Sequence, residues 1–135
     1  MKFLVIGVEG TPYAHGAFEF DFFFPNHYPQ GPPKVQLKTT GGGKMWFNPN
    51  MYACGKVCLS ILGTHPVNSE AERWNPKIST ALQVLLSVQC IIMSNDVYFN
   101  EPGYSHEIGT PEGERNNNAY TNFVKYGNLK YAMIE

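Results

Sequence analysis

The segment from residue 16 to 24, GAFEFDFFF, constrains the fold of this chain more than any other. Its residues alternate between two faces, with Phe18, Phe20, Phe22 and Phe24 on one and Ala17, Glu19, Asp21 and Phe23 on the other. A period of two with acids on one face predicts a half-buried strand of an antiparallel sheet. We therefore expect a domain built around such a sheet.

The segments on either side of this strand predict its neighbours. The β-branched and aromatic run KFLVIGV at 2–8 favours a strand, and KVQLKT at 34–39 alternates with Val35 and Leu37 pointing inward. Between the strands, NHYPQGPPK at 26–34 contains three prolines and therefore predicts a surface loop rather than a central strand. Together these segments indicate an antiparallel meander of three or four strands.

The hydrophobic period changes in the second half of the chain. STALQVLLSVQCIIMSN at 79–95 predicts a largely buried helix that starts near Ser79 or Thr80, because Thr80 and Gln83 have the spacing of a capping box. Cys90 lies within this apolar helix and is interpreted as core filler. Roughly helical spacing returns at 118–135, whereas 63–73 and 98–118 are rich in loop-forming residues and are predicted as loops. Strands followed by helices predict an α+β domain with the helices on one side of the sheet.

Composition excludes several classes of function. The chain of 135 residues with 43% hydrophobic residues fits one domain and one core. Ten Lys and Arg against eleven Asp and Glu argue against a nucleic-acid partner, which needs a basic surface. No apolar run approaches the roughly 20 residues of a membrane span, so we expect no membrane partner. Three cysteines form no disulfide framework and favour the cytosol or nucleus.

Two thiols four residues apart, Cys54 and Cys58, make FNPNMYACGKVCLSIL at 47–62 the candidate reactive segment. A structural zinc site needs four ligands, and the four histidines are scattered without a metal-binding pair. A cysteine hydrolase needs a histidine held at hydrogen-bond distance, and sequence separation does not exclude His65 or His106. From the residues alone, the chain is an α+β domain with a candidate reactive cysteine.

Four motifs in a fixed order give this chain a resemblance to the ubiquitin-conjugating (E2) domain. They are YPQGPP at 28–33, FNPN with GKVCLSIL at 47–62, WNP with LLSVQ at 74–89, and NEPGY at 100–104. The second is similar to the family's His-Pro-Asn tripeptide, which its active cysteine follows eight residues after the Asn; Asn50 to Cys58 is eight. The resemblance runs from Lys2 to Glu135. The insert at 63–73 resembles the subclass of large enzymes that combine conjugating and ligating roles, such as the BIR-repeat-containing members.

The resemblance implies a UBC-like fold, in which a four-stranded antiparallel meander carries helices on one side. Residues 1–135 would form the conjugating core domain. The family normally places a helix before the first strand, and this sequence begins at the strand. We therefore expect a domain that is truncated at its N-terminus and that also stops before the family's last helix.

The resemblance also implies an activity. Cys58 would accept ubiquitin, or a related modifier, as a thioester from an E1 activating enzyme and pass it to a lysine or to an E3 ligase. Asn50 would stabilise the oxyanion or the loop, and Glu101, just before Pro102, would gate the incoming lysine. A thioester is already activated by sulfur, so strong base catalysis is less necessary. No cofactor is expected, because ATP is used by the activating enzyme.

The remaining site residues follow from the same resemblance. Asn48 stands where the family has His and, with Pro49, would brace the active-site loop, and Leu86 would contact the modifier. The ligase-docking loops would be formed by Gln30, Gly31, Pro32, Asn75, Pro76 and Lys77. Cys54 is interpreted as a bystander. The main alternative is a non-catalytic ubiquitin-binding module like the family's inactive variants, and a cysteine hydrolase is a further one.

Overall fold

The sheet has three antiparallel strands in the order β1-β2-β3. The computed structural model describes residues 1–66 and 69–134. In it, β1 spans Lys2–Ile6, β2 spans Ala17–Phe23 and β3 spans Lys34–Leu37. Phe20 of β2 pairs with Phe3 on one side and Leu37 on the other. The central strand is thus the alternating segment that the sequence singled out.

Burial follows the alternation of β2. Phe18 and Phe20 are 0% exposed and Phe22 is 2% exposed. Their face packs on one core with Leu37, while Glu19 and Asp21 of the opposite face remain partly accessible. The antiparallel meander and the inward direction of Leu37 are therefore confirmed.

A fourth strand is not formed among the described residues, which differs from the four strands expected. In its place, the chain from 48 to 57 makes isolated bridges, Gln36 with Lys56 and Met51 with Val57. Pro49 has no N–H to donate to a ladder, and Gly55 adopts a φ of 87°. These two residues interrupt the pairing, so the segment forms a loop along the edge of β3.

Helix α1 spans Ala81–Ser87 and starts as the sequence predicts. Thr80 Oγ1 accepts from the Gln83 N–H at 3.2 Å, and the Gln83 side chain accepts from the Thr80 N–H at 2.9 Å. The helix continues as a π-helical turn over Val88–Ile92. Its buried stripe is spaced by four residues: Val84, Val88 and Ile92.

The rest of α1 and its π turn is more exposed than the sequence predicts. The interpretation of Cys90 as core filler is wrong, because Cys90 is exposed. Leu82, Leu86 and Ile91 are exposed as well, at 63%, 47% and 61%. Only the stripe of Val84, Val88 and Ile92 is buried in the core, and the opposite stripe stays accessible within the described chain.

Helix α2 spans Pro111–Gly127 and continues as a π helix over Asn128–Ile134. It begins within the segment predicted as a loop, so that prediction is wrong from residue 111 onward. The cause is a strong start signal: Thr110 Oγ1 accepts from the Gly113 N–H at 3.1 Å, and Pro111 occupies the first turn. Glu112 and Glu114 add negative charge at the positive end of the helix dipole.

Short 3₁₀ helices connect these elements. They span Ser60–Leu62, Glu70–Glu72, Val97–Asn100 and Pro102–Glu107. The predicted loop at 63–73 therefore contains one helical turn in its described part, and Val67 and Asn68 lie outside the described residues. Within 1–66 and 69–134, no helix has the length and hydropathy to cross a membrane.

Candidate active site

Backbone hydrogen bonds fold residues 48–58 back on themselves. The Met51 N–H donates to Asn48 O at 2.8 Å, and the Cys58 N–H donates to Asn50 O at 2.9 Å. A tight turn separates the two arms, closed by the Gly55 N–H on Tyr52 O at 2.8 Å. A Cβ at Gly55 would lie 2.5 Å from the Leu37 carbonyl oxygen, so only glycine fits there. The fold thus places Cys58 opposite Asn50.

Asn48 is the centre of this loop. It is 0% exposed, and its side chain makes three hydrogen bonds. Its Nδ2 donates to the Tyr13 hydroxyl at 3.0 Å and to Ile92 O at 2.9 Å, while its Oδ1 accepts from the Asn50 N–H at 2.9 Å. The Tyr13 hydroxyl donates in turn to Phe47 O at 2.8 Å. The side-chain amide of Asn48 therefore connects the loop to Tyr13, which follows β1, and to Ile92, the last residue of the π-helical turn.

Asn50 contrasts with Asn48 in the same tripeptide. Its backbone N–H and carbonyl are both used, by Asn48 and by Cys58. Within the described part of the chain its side-chain amide makes no hydrogen bond, and the residue is half-buried. The Asn50 amide is therefore unengaged among the described residues.

The backbone on the other side of Cys58 is held by Thr64. The Leu59 N–H donates to Thr64 Oγ1 at 3.0 Å, and that hydroxyl donates to Val57 O at 2.8 Å. Cys58 itself is 5% exposed, whereas Cys54 lies exposed in the turn. The two thiols therefore differ in environment, with Cys58 at the base of the site and Cys54 at the surface.

Tyr52 is a site residue that the sequence interpretation missed. The charge that Cys58 carries when ionised, followed by partial burial, raises the pKa of Tyr52. The Glu101 carboxylate contributes in the same direction. Tyr52 is therefore a neutral phenol that can donate a hydrogen bond. Its sequence position, two residues after Asn50, could have identified it, but hydrophobic periodicity does not detect a residue in an irregular loop.

Glu101 lies at the same corner as Tyr52, and both line one open groove. The segment before Glu101 is fixed by Asn100, whose Nδ2 donates to Ile92 O at 3.0 Å. Ile92 O also accepts from Asn48. One carbonyl therefore anchors both the loop that holds Cys58 and the segment that presents Glu101.

The other predicted site residues lie in separate places. Leu86 is on the exposed outer face of α1. The two predicted docking loops are neighbours, since Trp74 Nε1 donates to Pro29 O at 2.8 Å and the Tyr28 and Trp74 rings are 5.8 Å apart. Four residues of these loops are exposed, namely Gln30, Asn75, Pro76 and Lys77. Gly31 and Pro32 are half-buried.

The histidine and metal hypotheses gain no support. His106 Nδ1 lies 2.9 Å from Gly103 O and its Nε2 lies 3.9 Å from a Glu107 oxygen, so its contacts are within its own segment. Among the described residues, no group of three or more His, Cys, Asp or Glu has the arrangement of a metal site.

Comparison with known proteins places this site in a family. The model of the family described as ubiquitin-conjugating enzyme matches residues 1–126. The chain therefore belongs to the ubiquitin-conjugating enzyme family. A solved Toxoplasma gondii ubiquitin conjugating enzyme E2 domain superposes with a TM-score of 0.65 over 97% of this chain and 80% of that chain, at 23% identity. The UBC-like fold is thus confirmed.

Similar curated proteins are longer than this chain. The human dual E2 ubiquitin-conjugating enzyme/E3 ubiquitin-protein ligase BIRC6 is 51% identical over 135 residues, which is all of this chain and 3% of that protein. A probable ubiquitin-conjugating enzyme, protein 17 of Caenorhabditis elegans, is 48% identical over 135 residues and is covered to 18%. The chain therefore spans a small part of these relatives, and the resemblance to the large subclass is confirmed.

Proposed function

We propose that this chain accepts ubiquitin, or a related modifier, from an E1 enzyme as a thioester on Cys58 and transfers it to a lysine amine or to an E3 ligase. The supporting observation is the hydrogen bond from the Cys58 N–H to Asn50 O at 2.9 Å, which places the backbone of the thiol opposite that of a residue whose side-chain amide is unengaged among the described residues. This arrangement occurs in a chain of the ubiquitin-conjugating enzyme family.

Each step exchanges one acyl bond for another. In charging, the Cys58 thiolate attacks the modifier's C-terminal thioester carbonyl and the thiol of the activating enzyme leaves. In discharge, a lysine amine attacks the new thioester, its proton passes to solvent, and Cys58 leaves as thiolate. Both transition states carry an oxyanion, which the Asn50 amide would stabilise as a donor. Loss of one such donor costs about 3–4 kcal/mol in another enzyme class.

The other residues would support these steps by position. Asn48 and Pro49 would hold the loop that carries Asn50. Glu101 would attract the ammonium of the incoming lysine. Tyr52 would donate a hydrogen bond to the Cys58 sulfur. Leu86 would contact the bound modifier, and the two loops joined by Trp74 and Pro29 would receive a ligase.

A charging gel tests the proposal. The chain is incubated with activating enzyme, ATP and ubiquitin and separated without reducing agent. We expect an adduct that thiols remove, that Cys58→Ala abolishes and that Cys58→Ser converts to a thiol-resistant ester. Cys54→Ser is the matched control and should charge normally. An adduct that persists in Cys58→Ala would sink the assignment, and ubiquitin binding with no adduct would favour the non-catalytic module.

A further inference from the structure

An open groove of about 790 Å³ lies beside the loop that carries the candidate nucleophile, with Pro49 and Tyr52 of that loop in its lining. It begins at Tyr52 and Glu101 and extends to Phe123 on α2, and Trp46, Tyr98 and Tyr104 contribute further rings. Its volume lies within the range of grooves that bind ligands. We call it the aromatic groove.

The rings of the aromatic groove are arranged in pairs. Trp46 and Tyr52 lie 4.7 Å apart at 41°, and Tyr98 and Tyr104 are stacked at 4.3 Å and 2°. Yet Trp46, Tyr104 and Phe123 remain 45%, 40% and 44% exposed. Several large rings that converge on one groove and stay accessible are typical of a surface that is covered by a partner.

The charge of the groove selects among partners. Of the described residues that line it, Glu101 is the one with a formal charge, and Lys56 Nζ, outside the lining, lies 5.5 Å from the centroid of the Tyr52 ring. The rings that remain for a cationic guest are therefore the others. A second carboxylate, Glu107, lies behind the rings and accepts from the Tyr98 hydroxyl at 3.2 Å. Aromatic faces are the negative ends of ring quadrupoles, so rings and carboxylates favour the same kind of guest. That guest is a cation with an apolar stem, as in arginine and lysine side chains.

We propose that the aromatic groove holds a second basic side chain, arginine in particular, on the polypeptide whose lysine receives the modifier. The inference rests on the proposed function and names its substrate class. Pro49 and Tyr52, from the loop that carries Cys58, line the groove, and the Cys58 N–H donates to the carbonyl of Asn50, which lies between them in sequence. A polypeptide with its lysine at Cys58 therefore has adjoining residues next to the rings. Arginine fits best because its planar guanidinium stacks on rings and pairs with a carboxylate.

The competing occupants make different predictions. An acidic segment would bring like charge to Glu101 and to the ring faces. A purely apolar segment would gain the ring contacts without the electrostatic term. The groove therefore ranks neighbouring side chains in the order arginine, leucine, glutamate.

Single-turnover discharge tests this ranking. The chain charged on Cys58 is mixed with peptides that share one lysine and carry arginine, leucine or glutamate at the flanking positions. We expect the half-saturating concentration of the arginine peptides to be roughly fivefold below that of the glutamate peptides. In Phe123→Leu this ratio should fall towards one. Tyr126→Leu is the matched control, because Tyr126 is an exposed ring of α2 outside the groove and should keep the ratio.

A second measurement does not depend on charging. The chain contains two tryptophans, and a titration of the labelled, uncharged protein with an arginine peptide follows both indole N–H resonances. Movement of the Trp46 signal, with the Trp74 signal unchanged, supports the proposal. Equal discharge of arginine and glutamate peptides, or a Trp46 signal that does not move, overturns it. Absence of any charging would instead contradict the proposed function, and the titration would still decide the groove.

Discussion

The loop around Asn48 and the outer face of α1 depart from the usual distribution of residues in opposite directions. Asn48 is polar and fully buried, whereas Leu82, Leu86 and Ile91 are apolar and largely exposed. A buried amide is stable only when its hydrogen bonds are made, and Asn48 makes three. Exposed leucines have no such compensation within the described chain. The first departure is thus resolved internally, and the second is not resolved within the described residues.

The largest expected effect comes from breaking the buried side of this comparison. Asn48→Leu keeps the branched shape of the side chain but removes all three hydrogen bonds and leaves the Asn50 N–H without its acceptor. We expect the free energy of unfolding to fall by about 3 kcal/mol, measured by urea denaturation. Asn50→Leu is the matched control in the same tripeptide and should change stability by no more than about 0.5 kcal/mol. Equal losses in the two variants would refute the bracing role.

The second prediction weakens the same network at its other arm. Asn100→Leu removes one hydrogen bond to Ile92 O, which keeps its bond from Asn48. We expect the free energy of unfolding to fall by about 1 kcal/mol. Because Glu101 is adjacent, lysine discharge should be slower than in the wild type, whereas charging should be less affected. Asn122→Leu, at an exposed position of α2, should alter neither. If discharge keeps its wild-type rate, the segment does not depend on this anchor.

The third prediction addresses the exposed side. Leu86→Asp should change the free energy of unfolding by less than about 0.5 kcal/mol, because the side chain is already accessible. If the modifier packs on this face, charging should persist while lysine discharge slows. Leu129→Asp is the control, since Leu129 is 54% exposed on the helix after α2. Similar slowing in both variants would point to a general effect of the added charge.

The smallest effect is expected at Cys90. Cys90→Ser should leave stability and charging within error, because the thiol is exposed rather than part of the core. Limited labelling with a thiol reagent, followed by mass spectrometry, measures the accessibility of the Cys90 thiol without mutation. Cys54 and Cys90 should react before Cys58, which is 5% exposed. Preferential labelling of Cys58 would show that its burial is not maintained in solution.

Features encoded within a few residues could be predicted from the sequence. The alternation of β2 fixes which phenylalanines are buried, and the Thr80–Gln83 capping box fixes the start of α1. The start of α2 at Pro111 was missed because Gly113 and the following asparagines are poor helix formers, although Thr110 and Pro111 carried the start signal.

Features that depend on which surfaces meet could not be predicted in this way. The segment around Cys90 is apolar on several sides, so its sequence does not reveal which stripe faces the sheet. In the candidate site, the eight residues between Asn50 and Cys58 identified the thiol, but the proximity of Tyr52 to it depends on the turn between them. The roles of Asn50, Glu101 and Leu86 stay predictions.

The acceptor shared by Asn48 and Asn100 belongs to the main chain, at the end of the π turn Val88–Ile92. Replacing the side chain at position 92 would leave that oxygen in place. Mutational drift can therefore exchange the two amides that point at it, but it can remove their common target only by changing the helical register. The loop that carries Cys58 and the segment that presents Glu101 thus share a main-chain acceptor that a single side-chain substitution does not remove.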